Sequence, residues 1–199
     1  MTTVGNSAAL SLGVGTLYWA PLGTTLPTNL SGALDPAFAR IGYTEEGSEF
    51  SYEISTDPVE VAESLEPVFY KTTGRSGSIT FAMAENTVRN LTLAFNGGTV
   101  TRNADGSIGY EPPEPGTEVR RVLVFQSEDY DATDKTGERW VFPQVFQGGS
   151  VAMARRKGAD KVTLPAEFRL EKPALGGAPF KAFYADEREG GEGVAPAAA

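Results

Sequence analysis

The chain has 199 residues, 40% of them hydrophobic and 22% charged, with 26 Asp and Glu against 17 Lys and Arg and a formal net charge of −9. It contains no Cys and no His, which excludes disulfides, thiolate nucleophiles, Ser-His-Asp triads and metal sites built on Cys or His. No run of about 18 apolar residues is present to cross a membrane as a helix, and the N-terminus lacks the basic n-region of a secretory signal.

In chain order, residues 1–14 are small, polar and Gly-containing, and are expected to form a flexible arm. GTLYWAP (15–21) predicts a first strand, closed by a turn at Pro21 and Gly23. TTLPTNLSGALDPA (24–37) carries turn formers throughout and predicts a loop over the core. FARIGYT (38–44) then leads into EEGSEFSYEISTDPVEVAESLEP (45–67), where eight of the 26 acids fall with no Lys or Arg between Arg40 and Lys71.

That acidic stretch is patterned to fold. Phe50, Tyr52 and Ile54 alternate with Glu49, Ser51, Glu53 and Ser55, the period of a half-buried strand. Beyond Asp57-Pro58 the alternation resumes in Val59, Glu60, Val61, Ala62 and Glu63. The stretch therefore predicts a β-hairpin turning at Asp57-Pro58, with one apolar and one acidic face.

VFYKTTGRSGSITFAMAE (68–85) predicts a strand on either side of Gly74. ENTVRNLTLAFNGG predicts a helix capped by Asn86, with Val88, Leu91 and Phe95 on one face and Gly97-Gly98 as the stop. Further strands are expected at TVTR, GSIGYEP, VRRVLVF (119–125), RWVFPQVF (139–146), SVAMARR (150–156), KVTLPAEFRL (161–170) and APFKAFYAD (178–186). In the last but one, Val162, Leu164, Ala166, Phe168 and Leu170 point inward. The expected architecture is mainly β, a sandwich or partly open barrel flanked by one α-helix. One domain should span 15–186, with 187–199 as a disordered extension.

Several candidate sites carry little chemistry. Asp134-Lys135-Thr136-Gly137 lacks the spacing and the strand–helix setting of a phosphate loop. The acids around 127–134 lack EF-hand spacing, and Asn90-Leu91-Thr92 is a sequon inside a predicted helix. A glycosidase would set two acids across a cleft, whereas here they come in a row. Arg155, Arg156 and Lys157 form the one basic cluster. It lacks the interleaved aromatics of a nucleic-acid surface and fits better as a patch complementary to an acidic surface on another copy, or as a solvated turn or strand face. No catalytic residue, cofactor or metal is expected. The remaining classes are a self-assembling structural protein, a carbohydrate- or receptor-binding β-sandwich, and a carboxylate-dependent hydrolase.

Taken in order, GTLYWAPLGTTLP, FARIGYTEEG, the acidic stretch, SGSITFAMAENTVRNLTLAFNGG and KVTLPAEFRLEKPALGGAPFKAFYAD resemble the major tail (tail tube) proteins of long-tailed bacteriophages, particularly those of actinobacterial hosts. The family often has Trp where this chain has Phe38. The resemblance implies a non-enzymatic virion protein whose β-sandwich assembles into hexameric rings, stacked as a tube. Its implied partners are further copies of itself, a tape measure protein, a tail terminator and distal tail proteins, with assembly in the host cytoplasm and no membrane. DNA would pass through the lumen without specific binding. On that reading Glu49, Glu53, Glu60 and Glu63 are expected to point into the lumen, where a negative wall repels DNA and leaves no adhesive well.

Overall fold

The computed structural model describes residues 15–127, 137–155, 161–174 and 176–184. Among these residues ten strands and one helix follow in order: β1 (Gly15–Pro21), β2 (Ala39–Arg40), β3 (Thr44–Val59), β4 (Phe69–Met83), α1 (Val88–Ala94), β5 (Thr99–Arg102), β6 (Ile108–Glu111), β7 (Arg121–Ser127), β8 (Glu138–Gln147), β9 (Leu164–Leu170) and β10 (Lys181–Tyr184). The main sheet is antiparallel in the order β2-β1-β7-β8-β9-β4-β3, with β10 also on β8; β5 and β6 form a separate two-stranded sheet.

β8 is the corner of this sheet. Glu138–Val141 pairs with β10, and Val145–Gln147 pairs with β9, so two strands share one edge in succession. Between them lies Pro143, which has no N–H for a ladder. It falls where the register of β8 against β7 shifts, the kind of irregularity that tolerates proline and bends a strand. The bend brings the sheet's two halves face to face. Phe50 of β3 lies 5.3 Å, ring to ring, from both Trp140 and Phe142 of β8, although β9 and β4 separate those strands in the ladder.

The core fills the space between the halves. Leu17, Leu123, Phe142 and Val145 come from one side, and Ile79, Phe81, Met83, Leu164, Ala166 and Phe168 from the other. Leu93 and Ala94 of α1 close one end. Among the described residues no pairing joins β3 to β2, so the result is a β-sandwich with one helix and not a closed barrel.

The back of β1, β7 and β8 is buried too, at Ala20, Val122, Val124 and Val141. Arg139, on the same face, donates from one guanidinium nitrogen to the carbonyls of Asn29 and Gly32, both at 2.8 Å, and from Nε to Gln126. This draws the segment between β1 and β2 over the sheet, as its turn-rich composition predicts. Burial disfavours the charged guanidinium and lowers its pKa, which three acceptors offset.

Four expectations are corrected. β3 runs straight through Asp57 and Pro58 as one 16-residue strand. An edge strand accommodates proline because one side of it needs no ladder bonds, and the chain turns only after Val59. Likewise β4 is one 15-residue strand, and Gly74 marks a bulge: Ser55 faces Gly74 while Thr56 faces Thr72, leaving Thr73 over. The helix cap is Thr87, whose side chain accepts from the Asn90 N–H at 3.2 Å. Thr87→Ala should therefore cost about 1 kcal/mol in chemical denaturation, and Asn86→Ala close to nothing. Finally, residues 151–155 are irregular rather than strand. Val151 still packs against the core, but Met153 is 38% exposed, so the apolar alternation is not carried through as a strand face.

At α1 the predicted Leu91 and Phe95 pack against the core, and beside them Asn90 is fully buried. Its Nδ2 donates to the carbonyls of Ile41 at 3.1 Å and Glu85 at 2.8 Å. Glu85 in turn accepts from the Tyr43 N–H at 3.1 Å. Gly42 suits this position because its φ of +99° is one that residues with a Cβ rarely adopt.

Candidate functional site

The acidic stretch becomes the first strand and the turn of a long ribbon. β9 pairs with β4 only from Ser78 to Met83. Beyond that point β3 and β4 continue as two strands, Tyr52–Val59 against Phe69–Gly77, projecting on the order of 25 Å at the usual rise per residue. Both edges of this projection are unpaired among the described residues.

Its two faces differ because side chains alternate. On one face Glu49, Ser51 and Glu53 stand opposite Thr80, Ser78 and Ser76, and Glu167 and Arg169 of β9 extend this polar surface. On the other, the Phe50 ring packs, tilted or edge-on, 5.3 Å from Trp140 and Phe142 and 5.2 Å from Phe180. The Tyr52 ring also lies 5.2 Å from Phe180. Tyr52 covers Gly77, where a Cβ would come 2.8 Å from its ring, so the glycine makes room for the aromatic contact. The core thus reaches along the ribbon to Tyr52 and stops: Ile54 is exposed.

Of the four predicted acids, Glu49 and Glu53 lie on the polar face of β3, both exposed. Glu60 and Glu63 do not share it. They lie in the connection after Val59, which is tied by bonds from the Ser64 N–H to the Val61 carbonyl at 3.3 Å, from the Ser64 hydroxyl to the Glu66 carbonyl at 2.8 Å, and from the Val68 N–H to the Val59 carbonyl at 2.9 Å. Among the described residues none of the four is in an ion pair; those present join Lys161 to Glu45, Arg169 to Glu167 and Arg120 to Glu171. For Glu171 burial alone would raise the carboxyl pKa, but hydrogen bonds from Gln144 and Arg120 outweigh it and hold it below the usual value. That contribution to stability is present at neutral pH and is lost as pH falls through the depressed value.

Of the basic cluster, Arg155 is exposed, while Arg156 and Lys157 lie outside the described residues, as do the arm at 1–14 and the extension at 187–199. The ribbon tip holds what the alternation did not reveal. Val61, Leu65, Val68, Phe69 and Tyr70 are all exposed, Leu65 completely. Apolar residues inside a turn-forming segment, at Leu65 and Val68, were the available signal.

An open-edged β-sandwich that projects a solvated ribbon with an apolar tip is built to associate through its strands and loops. The sequence matches the family described as phage tail tube protein over residues 2–170, and the chain belongs to that family. It is accordingly a structural component of the virion tail, one that self-assembles into a tube with other tail components. No curated protein matches the chain. No helix among the described residues is long and apolar enough to cross a membrane.

Proposed function

We propose that the subunits form hexameric rings stacked into the tail tube, with the Glu49–Glu53 face of β3 as the wall of a channel through which DNA is ejected. The observation that carries this reading is the sidedness of β3. Its Glu and Ser residues meet solvent together with Ser76, Ser78 and Thr80, while Phe50 and Tyr52 on its other side are anchored in the aromatic core. Duplex DNA carries about one negative charge per 1.7 Å of axis, so a basic wall would bind and stall it. Carboxylates repeated by cyclic symmetry repel it at every level while staying hydrated in a water-filled lumen. A tape measure protein, a tail terminator and distal tail proteins complete the proposed set of partners, with assembly in the host cytoplasm.

Electron cryomicroscopy of the assembled protein tests the reading. The expected map has six-fold rings with Glu49 and Glu53 on the channel surface. Rings carrying these side chains on the outer wall, or a strictly monomeric protein at high concentration, would overturn it.

A further inference from the structure

We infer that the ribbon tip docks on a neighbouring copy at residues 152–155, so that subunits join head to tail through two different surfaces. This rests on the self-assembly reading and names the contact. The tip combines exposed apolar groups, Val61, Leu65 and Val68, with Glu60, Glu63 and Glu66. No Lys or Arg between Arg40 and Lys71 offsets those acids. The segment before β9 offers the complement, with Met153 38% exposed and Arg155 open to solvent. Each surface is wasted in an isolated subunit, where apolar groups face water and like charges repel.

Reach and pairing favour an intermolecular contact. The root of β3 and the basic segment are already joined, since Lys161 pairs with Glu45 at 2.6 Å. Gly148 also donates to the Glu167 carbonyl at 2.9 Å, beside the same root. From Lys161 back to Arg155 the chain spans at most about 21 Å. From Glu45 to Glu60 the ribbon extends on the order of 40 Å. Among the described residues Arg155 is in no ion pair with its own tip, and it would meet that tip only with the chain and the side chains fully stretched. A tip meeting a root is a heterologous contact, which repeats around a ring or along a filament instead of closing a dimer. Exposed ion pairs are individually weak, so the apolar groups carry the affinity and the charges set the register.

Charge reversal in the full-length protein tests this. One variant carries Glu60→Lys with Glu63→Lys, the other Arg155→Glu. All three sites are exposed, so both proteins should melt at the unmodified temperature. Each alone should need about tenfold more protein to assemble, followed by sedimentation and electron microscopy. Mixed in equal amounts they should assemble near the unmodified threshold, because each variant's tip now matches the other's root. Leu65→Ser, at a fully exposed position, should raise the threshold without altering the melt. Unchanged thresholds in the single variants, or a mixture that fails while both proteins are folded, would overturn the contact. If the unmodified protein itself never assembles, it is the tube reading that falls.

Discussion

Phe142→Ala is expected to lower the unfolding free energy of the subunit by about 3–5 kcal/mol, the usual cost of removing a buried phenylalanine ring. Phe142 is 1% exposed and stands on β8 just before the Pro143 bend. Its ring meets Phe50 at 5.3 Å, so it fills the space where the two halves of the sheet face each other. The loss should appear as a lower urea midpoint with an unchanged slope. Phe69→Ala makes the control, for Phe69 is 55% exposed at the ribbon tip and should shift stability by less than about 0.5 kcal/mol. Equal losses at the two positions would contradict the fold. If Phe69→Ala instead impairs only assembly, the exposed tip is there for a neighbour and not for the core.

Local pattern was enough for strands bounded by turn residues. GTLYWAP and TVTR form strands with the bounds their sequences predict, because Gly, Pro or Asn bounds them and β-branched or aromatic residues fill them. Local pattern failed where the outcome depends on a strand's neighbours. Pro58 reads as a turn in isolation, yet β3 lies at the sheet edge, where a missing N–H costs little. Nothing near Pro58 reveals that position. Arg139 is a similar case: its acceptors at Asn29 and Gly32 lie more than a hundred residues away, and no spacing rule connects them.

The site divides in the same way. Glu49 and Glu53 were legible as one face because period two holds within a strand whatever surrounds it. Glu60 and Glu63 continued the alternation in sequence, but the chain had already left the strand. The exposed apolar tip was hidden by composition, since Val, Leu and Phe in a sequence are read as core until burial says otherwise. Its exposure becomes visible only once the ribbon is seen to outrun β9.

Asn96→Asp should cost about 2–4 kcal/mol at neutral pH and progressively less in acid. Asn96 holds the end of α1 against the end of β8. Its Nδ2 donates to the Gln147 carbonyl at 2.7 Å, and its Oδ1 accepts from the Gln147 N–H at 2.9 Å, so it closes the strand as another strand would. Aspartate has nearly the same shape and tolerates the left-handed φ of +58° found here, which leaves the change of one amide nitrogen to oxygen as the perturbation. That oxygen would face a carbonyl at a residue only 7% exposed, exchanging a donor for a repelling charge. Burial and the carbonyl both push the new carboxyl group's pKa above its unfolded value. The penalty is then absent below the ordinary carboxylate range, where both states are protonated and the acid O–H again donates to Gln147, and complete above the raised value. Thermal melts of the two proteins from pH 4 to 8 should diverge as pH rises. A difference that stays constant across that range would mean that Asn96 is held by shape alone and that its hydrogen bonds to Gln147 contribute little.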